Sequence, residues 1–170
     1  NLKIDQIISD LNKYLCIHIK KQIDAGADVV QIFDSWAGII PEKDINYYCF
    51  LPNLEIVKFC KNLGIPNICF PKGIGERYKD FKEIVKPDCI SIDYDIDPLW
   101  IKEKVNGICV QGGLDPKILL EEKEIIKKNT EKYLNIFKNY PYIFNLGHGV
   151  LPEIKPETIE YVIKLVREAK

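Results

Sequence analysis

Five short strings of polar residues and glycine contain most of the side chains that could do chemistry, and each directly follows an apolar run. In chain order they are DS at 34–35, KG at 72–73, DYD at 93–95, QGGLDP at 111–116 and NLGHG at 145–149. Their hydroxyl, ammonium, amide and imidazole groups can donate hydrogen bonds to anionic groups of a ligand. Each string also has a purely structural interpretation.

His148 is the sharpest candidate for function. It is one of two histidines in the chain and lies between two glycines, where the absence of side chains lets the backbone approach a ligand closely. A lone histidine can equally be structural. His18, the other one, falls within a helical pattern and is predicted to have only a structural role.

The remaining polar candidates have local alternatives. Asp34 or Ser35 can simply cap a helix, and Asp115 followed by Pro116 is a good capping pair. Lys72 can be a solvated turn lysine. Asp93, at the end of an apolar run, is either a helix cap or a functional carboxylate.

No metal site or nucleophile is indicated by spacing. The acidic string at 93–97 lacks the glycine turn and the distal glutamate of a calcium loop, and the six cysteines have no zinc-type spacing. Ser35 lacks the G-x-S-x-G setting, and no H-E-x-x-H string occurs. The residues alone therefore do not name a reaction.

The order of elements predicts an α/β fold. Apolar runs starting near positions 29, 66, 89, 108 and 142 predict five strands, each followed by a helical pattern. Such strands are typical of a parallel sheet covered by helices. A doubly wound nucleotide-binding sheet should have a glycine fingerprint after its first strand. The nearest match, GIGERY at 73–78, follows the second strand and ends in tyrosine, so it predicts a turn and a helix start.

The other parallel architecture is a (β/α)8 TIM barrel, which needs about 250 residues and eight strands. Five strands in 170 residues predict an incomplete barrel, a single domain or part of one. The chain has no methionine and begins at Asn1, so we expect it to be a piece of a longer chain.

Composition narrows the class of partner and the compartment. The net charge is −1 and only two basic residues are arginine, Arg77 and Arg167, which argues against nucleic acid as a partner. No apolar run reaches the length of a membrane span. Cysteines inside apolar runs predict free thiols in a reducing compartment.

Taken in order, the strings QIFDSWAG, CFPKG, SIDYD, VQGGLDP and FNLGHGVLP closely resemble the uroporphyrinogen decarboxylase family, from about Asp28 to Val166. That family consists of cytosolic, homodimeric (β/α)8 barrel enzymes that use no cofactor. They convert the acetate side chains of uroporphyrinogen, a tetrapyrrole, to methyl groups and so give coproporphyrinogen in haem biosynthesis. The resemblance implies that residues 1–170 are the carboxyl-terminal portion of one such domain, with the last five β/α units.

Three residues match substrate contacts of the family. The resemblance implies that Ser35 contacts the substrate, that the backbone of Phe33 lies beside it, and that His148 binds a substrate carboxylate. The family's catalytic aspartate, its amino-terminal arginines and a substrate-contacting tyrosine precede the matching segment, so no catalytic residue and no metal ligand is assigned here. Gly113 stands where the family commonly has asparagine.

Two alternatives stay open beside this interpretation. A related barrel methyltransferase binds zinc through a His-x-Cys string after a strand, but the corresponding run here is Asn67-Ile68-Cys69, without histidine. A non-catalytic remnant is the other alternative, because a partial barrel leaves unpaired strand edges. We expect this segment alone to lack decarboxylase activity.

Overall fold

A computed structural model describes residues 2–169. Six helices and five strands alternate along this part of the chain. The helices are α1 (Leu2–Asp24), α2 (Leu51–Asn62), α3 (Tyr78–Val85), α4 (Pro98–Lys104), α5 (Lys123–Ile136) and α6 (Pro156–Glu168). The strands are β1 (Val30–Asp34), β2 (Asn67–Pro71), β3 (Cys89–Ile92), β4 (Cys109–Gly112) and β5 (Tyr142–Ile143).

The strands form a five-stranded parallel sheet in chain order, β1-β2-β3-β4-β5. In the first pair Val30 lies opposite Asn67 and Asp34 opposite Pro71, both strands running the same way. Parallel neighbours joined by helices fit a partial (β/α)8 barrel, so the predicted fold class is confirmed. Contacts divide the chain into two compact units, Asn1–Cys89 and Ile90–Lys170, and the assignment of all 170 residues to one domain stays a prediction.

The fifth strand is shorter than expected. The apolar run predicts a strand from Tyr142 to Leu146, but β5 ends at Ile143 and only an isolated bridge pairs Leu146 with Leu114. The side chain of Asn145 accepts a hydrogen bond from the backbone N–H of Leu146, at 2.8 Å.

In the first unit, α1 and α2 cover one face of β1. Ile19 of α1, Val30 of β1 and Ile56 with Cys60 of α2 form a buried cluster. The apolar spacing from Ile4 to Ile23 predicts this helix, which is confirmed. Its predicted inward face is buried only in part, because Ile7, Leu11 and Leu15 are exposed whereas Ile19 is buried. The periodicity places these apolar side chains on one side of each helix, as burial against a sheet requires.

Between β1 and α2 the chain forms three short helical segments: Ala37–Ile39, Glu42–Asp44 and a π-helical turn at Asn46–Phe50. Arg77 holds them to the start of α3. Its guanidinium lies 5.5 Å from the ring centroid of Phe50, and its Nη2 donates to Oδ1 of Asn46 at 3.2 Å. A stacked and hydrogen-bonded guanidinium fixes this irregular segment in a way that a lysine could not.

In the second unit, the core lies between the strands and helices α4 and α5. All four residues of β3 are buried, as expected of a strand covered by helices in a parallel sheet. Phe137 stacks on Tyr142 with ring centroids 4.3 Å apart, which joins the end of α5 to β5.

The string at 73–78 forms a turn, a short 3-10 helix at Gly75–Arg77 and the start of α3, as predicted.

All six cysteines are free thiols, as predicted. Burial raises the pKa of the Cys49, Cys60 and Cys69 thiols above the ordinary value, because desolvation disfavours the thiolate. These buried thiols are therefore protonated and inert at neutral pH. None of the helices within residues 2–169 has both the length and the apolar composition needed to cross a bilayer.

Replacing Thr130 with valine should leave the protein at least as stable as the original. Thr130 is 0% exposed on α5, and its hydroxyl has no hydrogen-bond partner within residues 2–169. A buried hydroxyl without a partner costs about 1 to 3 kcal/mol, and valine has nearly the same shape. We expect the free energy of unfolding in urea to rise by about 1 kcal/mol.

Thr158 provides the matched control, because it lies in the first turn of α6 and is half-buried. Thr158→Val should change stability by no more than about 0.5 kcal/mol. A clear loss of stability in Thr130→Val alone would mean that the hydroxyl has a favourable partner.

Candidate functional site

Ser35 lies at the carboxyl end of β1, directly after the last strand residue. Side chains along a strand alternate between its two faces. Val30 and Ile32 pack with the helices, whereas the side chain of Phe33 is 67% exposed and meets Phe70 edge-on at 6.1 Å. Ser35 is the first residue of the turn that follows β1 and is exposed, so its hydroxyl is accessible to a ligand at this end of the strand.

Asp34 points to the opposite side, toward α2. Its Oδ2 accepts a hydrogen bond from the Nδ2 of Asn53 at 3.0 Å. The thiol of Cys49 also interacts with this carboxylate, and together with burial the interaction raises the pKa of Cys49. Asp34 therefore fixes the end of β1 through its side chain. These contacts account for the residue without a helix-capping role.

The chain turns after β1 and after β2 are tied together through their backbones. The N–H of Lys72 donates to the carbonyl of Asp34 at 3.1 Å, and the N–H of Gly38 donates to the carbonyl of Lys72 at 2.8 Å. A β-carbon on Gly38 would lie only 2.6 Å from the carbonyl oxygen of Gly73. Glycine is thus required for this approach. The side chain of Lys72 is half-buried, so it is not a fully solvated turn lysine.

His148 lies in the exposed turn after β5. Its Nδ1 accepts a hydrogen bond from the N–H of Gly149 at 2.7 Å. A ring nitrogen that accepts has no proton, so in the neutral ring the proton is on Nε2. The bond therefore orients the imidazole and leaves Nε2–H as a donor toward solvent. That group can bind a carboxylate, as the family resemblance implies for His148.

Gly147 fixes the position of this turn. Its N–H donates to the carbonyl of Leu114 at 2.7 Å, and it is packed against the backbone after β3. A β-carbon on Gly147 would lie 2.5 Å from the N of Tyr94 and 2.8 Å from the carbonyl carbon of Asp93. His148 therefore lies in a turn in which the position before it, Gly147, has no space for a side chain.

The acidic side chains in this unit accept hydrogen bonds from nearby backbone N–H groups. The carboxylate of Asp97 accepts from the N–H of Leu99 at the start of α4, and that of Asp115 accepts from the N–H of Lys117. The capping interpretation of Asp115 is therefore confirmed. Asp93 is 1% exposed and accepts from the N–H of Asp95 at 3.0 Å, which closes a turn rather than caps a helix. Within residues 2–169 no group of three or more histidine, cysteine or acidic side chains could hold a metal ion.

Two tyrosines, which sequence reasoning did not single out, hold the glycine pair at the carboxyl end of β4. The hydroxyl of Tyr142 donates to the carbonyl of Gly112 at 2.7 Å, and that of Tyr133 donates to the carbonyl of Gly113 at 2.6 Å. Burial raises the pKa of Tyr133 to about 12, with a smaller contribution from Asp115. Both hydroxyls are therefore protonated donors at neutral pH.

The sequence-predicted substrate contacts fall into two groups. Phe33 and Ser35 are neighbours at the end of β1, in the first unit, and His148 follows β5, in the second. That all three contact one ligand stays a prediction. Asn53, Tyr133 and Tyr142 were missed, and the signal for the tyrosines was the Gly112-Gly113 pair, whose buried carbonyls need donors.

Comparison with known proteins places the whole described chain in one family. The family profile described as "Uroporphyrinogen decarboxylase (URO-D)" matches residues 3–169. A uroporphyrinogen decarboxylase from Rickettsia bellii is 46% identical over 157 residues, which are 89% of this chain and 45% of that relative. A uroporphyrinogen decarboxylase from Cereibacter sphaeroides is 40% identical over 154 residues, 88% of this chain and 45% of the relative.

The chain thus spans a little under half the length of these relatives. Its match to the family extends over both units and covers the ends of all five strands. The chain belongs to the uroporphyrinogen decarboxylase family.

Proposed function

We propose that this chain is the carboxyl-terminal part of an enzyme that decarboxylates the acetate side chains of uroporphyrinogen to give coproporphyrinogen. The family match over residues 3–169 carries the proposal. Phe33, Ser35 and His148 each lie at or just after the carboxyl end of a strand, which is where barrel enzymes bind their substrates. A cytoplasmic homodimer that uses no cofactor belongs to the same proposal.

The chemistry explains why hydrogen-bond donors suit these positions. Protonation of a pyrrole ring carbon gives a cationic ring that accepts electrons. The bond between the acetate methylene and its carboxylate then breaks, CO₂ leaves, and the electron pair of that bond neutralises the ring and forms an exocyclic C=C bond. A proton then adds to the methylene to complete the methyl group, and the ring carbon loses the proton it gained, which restores the pyrrole. A carboxylate that faces the pyrroles must stabilise the cation, and neither Ser35 nor His148 can do so. The Nε2–H of His148 and the hydroxyl of Ser35 can instead hold substrate carboxylates by charge-assisted hydrogen bonds.

The experiment compares the 170-residue chain with the same chain joined to the amino-terminal half of the Rickettsia bellii relative. Both are incubated with uroporphyrinogen without oxygen, and coproporphyrin is measured by chromatography after oxidation. We expect product only from the joined protein, because the family's catalytic aspartate precedes the segment present here. A joined protein that folds but neither binds nor converts uroporphyrinogen would reject the function and favour a non-catalytic remnant.

In the joined protein, His148→Ala should raise KM at least about tenfold and lower kcat much less. This follows because a hydrogen bond to a charged group contributes about 1.5 to 3 kcal/mol to binding. His18→Ala is the matched control, since His18 is the other histidine and lies within α1, where its Nε2 is 2.8 Å from the Nε2 of Gln22. An unchanged KM in His148→Ala would contradict the assigned contact.

A further inference from the structure

We propose that Asn53 is a positioning residue for substrate binding, which it serves by holding Asp34 and thereby the corner of chain that presents Ser35. This inference rests on the proposed function, because it gives Ser35 the role of a substrate contact. The corner is defined as residues 34–38, between the last residue of β1 and the close approach of Gly38 to Gly73.

The contacts of Asn53 point from α2 directly to the strand end. Its Nδ2 donates to Oδ2 of Asp34 at 3.0 Å and to the backbone carbonyl of Cys49 at 2.9 Å. Asn53 is 5% exposed, its bond to Cys49 is buried, and its bond to Asp34 is partly buried. Hydrogen bonds to an ionised acceptor in such surroundings are strong and directional.

The orientation of the amide is determined by its partners. If the group were turned by 180°, Oδ1 would face both the Asp34 carboxylate and the Cys49 carbonyl, and all three are acceptors. In the orientation present, Oδ1 is buried without any hydrogen-bond partner within residues 2–169. An unpartnered buried oxygen destabilises a protein. Asn53 thus destabilises the protein through its oxygen while its nitrogen holds the Asp34 carboxylate. Such a loss of stability is typical of residues that position a functional site.

Backbone hydrogen bonds connect the position of Asp34 to that of Ser35. The carbonyl of Asp34 accepts from the N–H of Lys72 at 3.1 Å, and the carbonyl of Lys72 accepts from the N–H of Gly38 at 2.8 Å. Asp34 is thus held through its side chain by Asn53 and through its backbone carbonyl by Lys72. Ser35 is the next residue, so the position of its backbone depends on how Asp34 is held.

The test uses two substitutions that keep the number of heavy atoms in the side chain. Asn53→Leu removes the donor and the unpartnered oxygen, and Asn53→Asp replaces the donor by a second carboxylate close to Asp34. We expect hydrogen exchange of the Gly38 and Lys72 amides, followed by mass spectrometry on the 170-residue chain, to become about tenfold faster in Asn53→Leu. The acceleration should be larger in Asn53→Asp because like charges repel. The urea midpoint of Asn53→Leu should stay within error of the original.

Asn12→Leu is the matched control. Asn12 is also a buried asparagine, but its amide joins α1 to α2, since it donates to the carbonyl of Pro52 at 3.3 Å and to the carboxylate of Glu55 at 2.6 Å. It should leave exchange in the corner unchanged. Unchanged exchange in both Asn53 variants, or equal acceleration in Asn12→Leu, would overturn the positioning role.

A binding measurement separates this inference from the proposed function. Fluorescence titration with uroporphyrin, the oxidised form of the proposed substrate, should give at least about tenfold weaker binding in Asn53→Leu of the joined protein, since displaced contact groups lose binding steeply. If the original joined protein binds uroporphyrin and Asn53→Leu binds it equally well, the inference fails. If the original does not bind it, the proposed function fails, and the exchange result still decides whether Asn53 holds the corner.

Discussion

Replacing Gly147 with alanine is expected to lower the free energy of unfolding by about 3 kcal/mol, near the upper end of the cost of overpacking. The added β-carbon would lie 2.5 Å from the N of Tyr94 and 2.8 Å from the carbonyl carbon of Asp93. Both neighbours are backbone atoms, which cannot rotate away as a side chain can. The turn that carries His148 must therefore separate from the chain after β3, and urea unfolding of the 170-residue chain measures the cost.

Gly149 offers the control on the other side of the same histidine. A β-carbon there would meet no atom within 4 Å, and the backbone N–H that donates to His148 is retained in alanine. Gly149→Ala should change stability by no more than about 1 kcal/mol, in either direction. Equal losses in the two variants would show that the NLGHG turn is sensitive to any loss of glycine and not to the contact with Tyr94.

The helices and strands that the sequence predicted correctly are those with a regular spacing of apolar residues within the element. The apolar spacing at 78–85 and the buried run at 89–92 predict α3 and β3 with the bounds that the structure has. Both segments bury one continuous set of side chains, so their pattern is visible within the segment itself. The carboxyl ends of the strands, where the polar strings lie, follow from the same pattern.

The segment at 37–50 could not be predicted in this way. Its 3-10 and π turns have no 3.6-residue period, and they depend on Arg77, which lies 31 residues beyond Asn46. The missed site residues share this property, because Asn53 reaches Asp34 across 19 residues and Tyr133 reaches Gly113 across 20. Only the fold brings such pairs together, so a polar residue inside a helical pattern gives no sign of its partner.

Gly113 is the position where this chain departs from the asparagine common in its family, and Gly113→Ala is expected to cost about 3 kcal/mol of stability. Two effects contribute. The backbone of Gly113 has a φ of +100°, which costs a residue with a β-carbon about 1 to 3 kcal/mol. The β-carbon would also lie 2.7 Å from Cε1 of Tyr133 and 3.1 Å from Cδ1 of Ile92, and the Tyr133 ring is tethered by its hydroxyl to the Gly113 carbonyl.

A double-mutant cycle with Tyr133→Leu separates the two effects. Tyr133→Leu by itself should lower the free energy of unfolding by about 2 to 3 kcal/mol, because it removes a buried ring and leaves the Gly113 carbonyl without its donor. In that background Gly113→Ala should cost about 1 kcal/mol less than in the original chain, since the contact with the Tyr133 ring is gone while the backbone strain and the 3.1 Å approach to Ile92 remain. If the changes in the free energy of unfolding, measured in urea for all four proteins, are additive, the Tyr133 ring moves aside at no cost in free energy. The tyrosine would then not be the reason why glycine occupies this position.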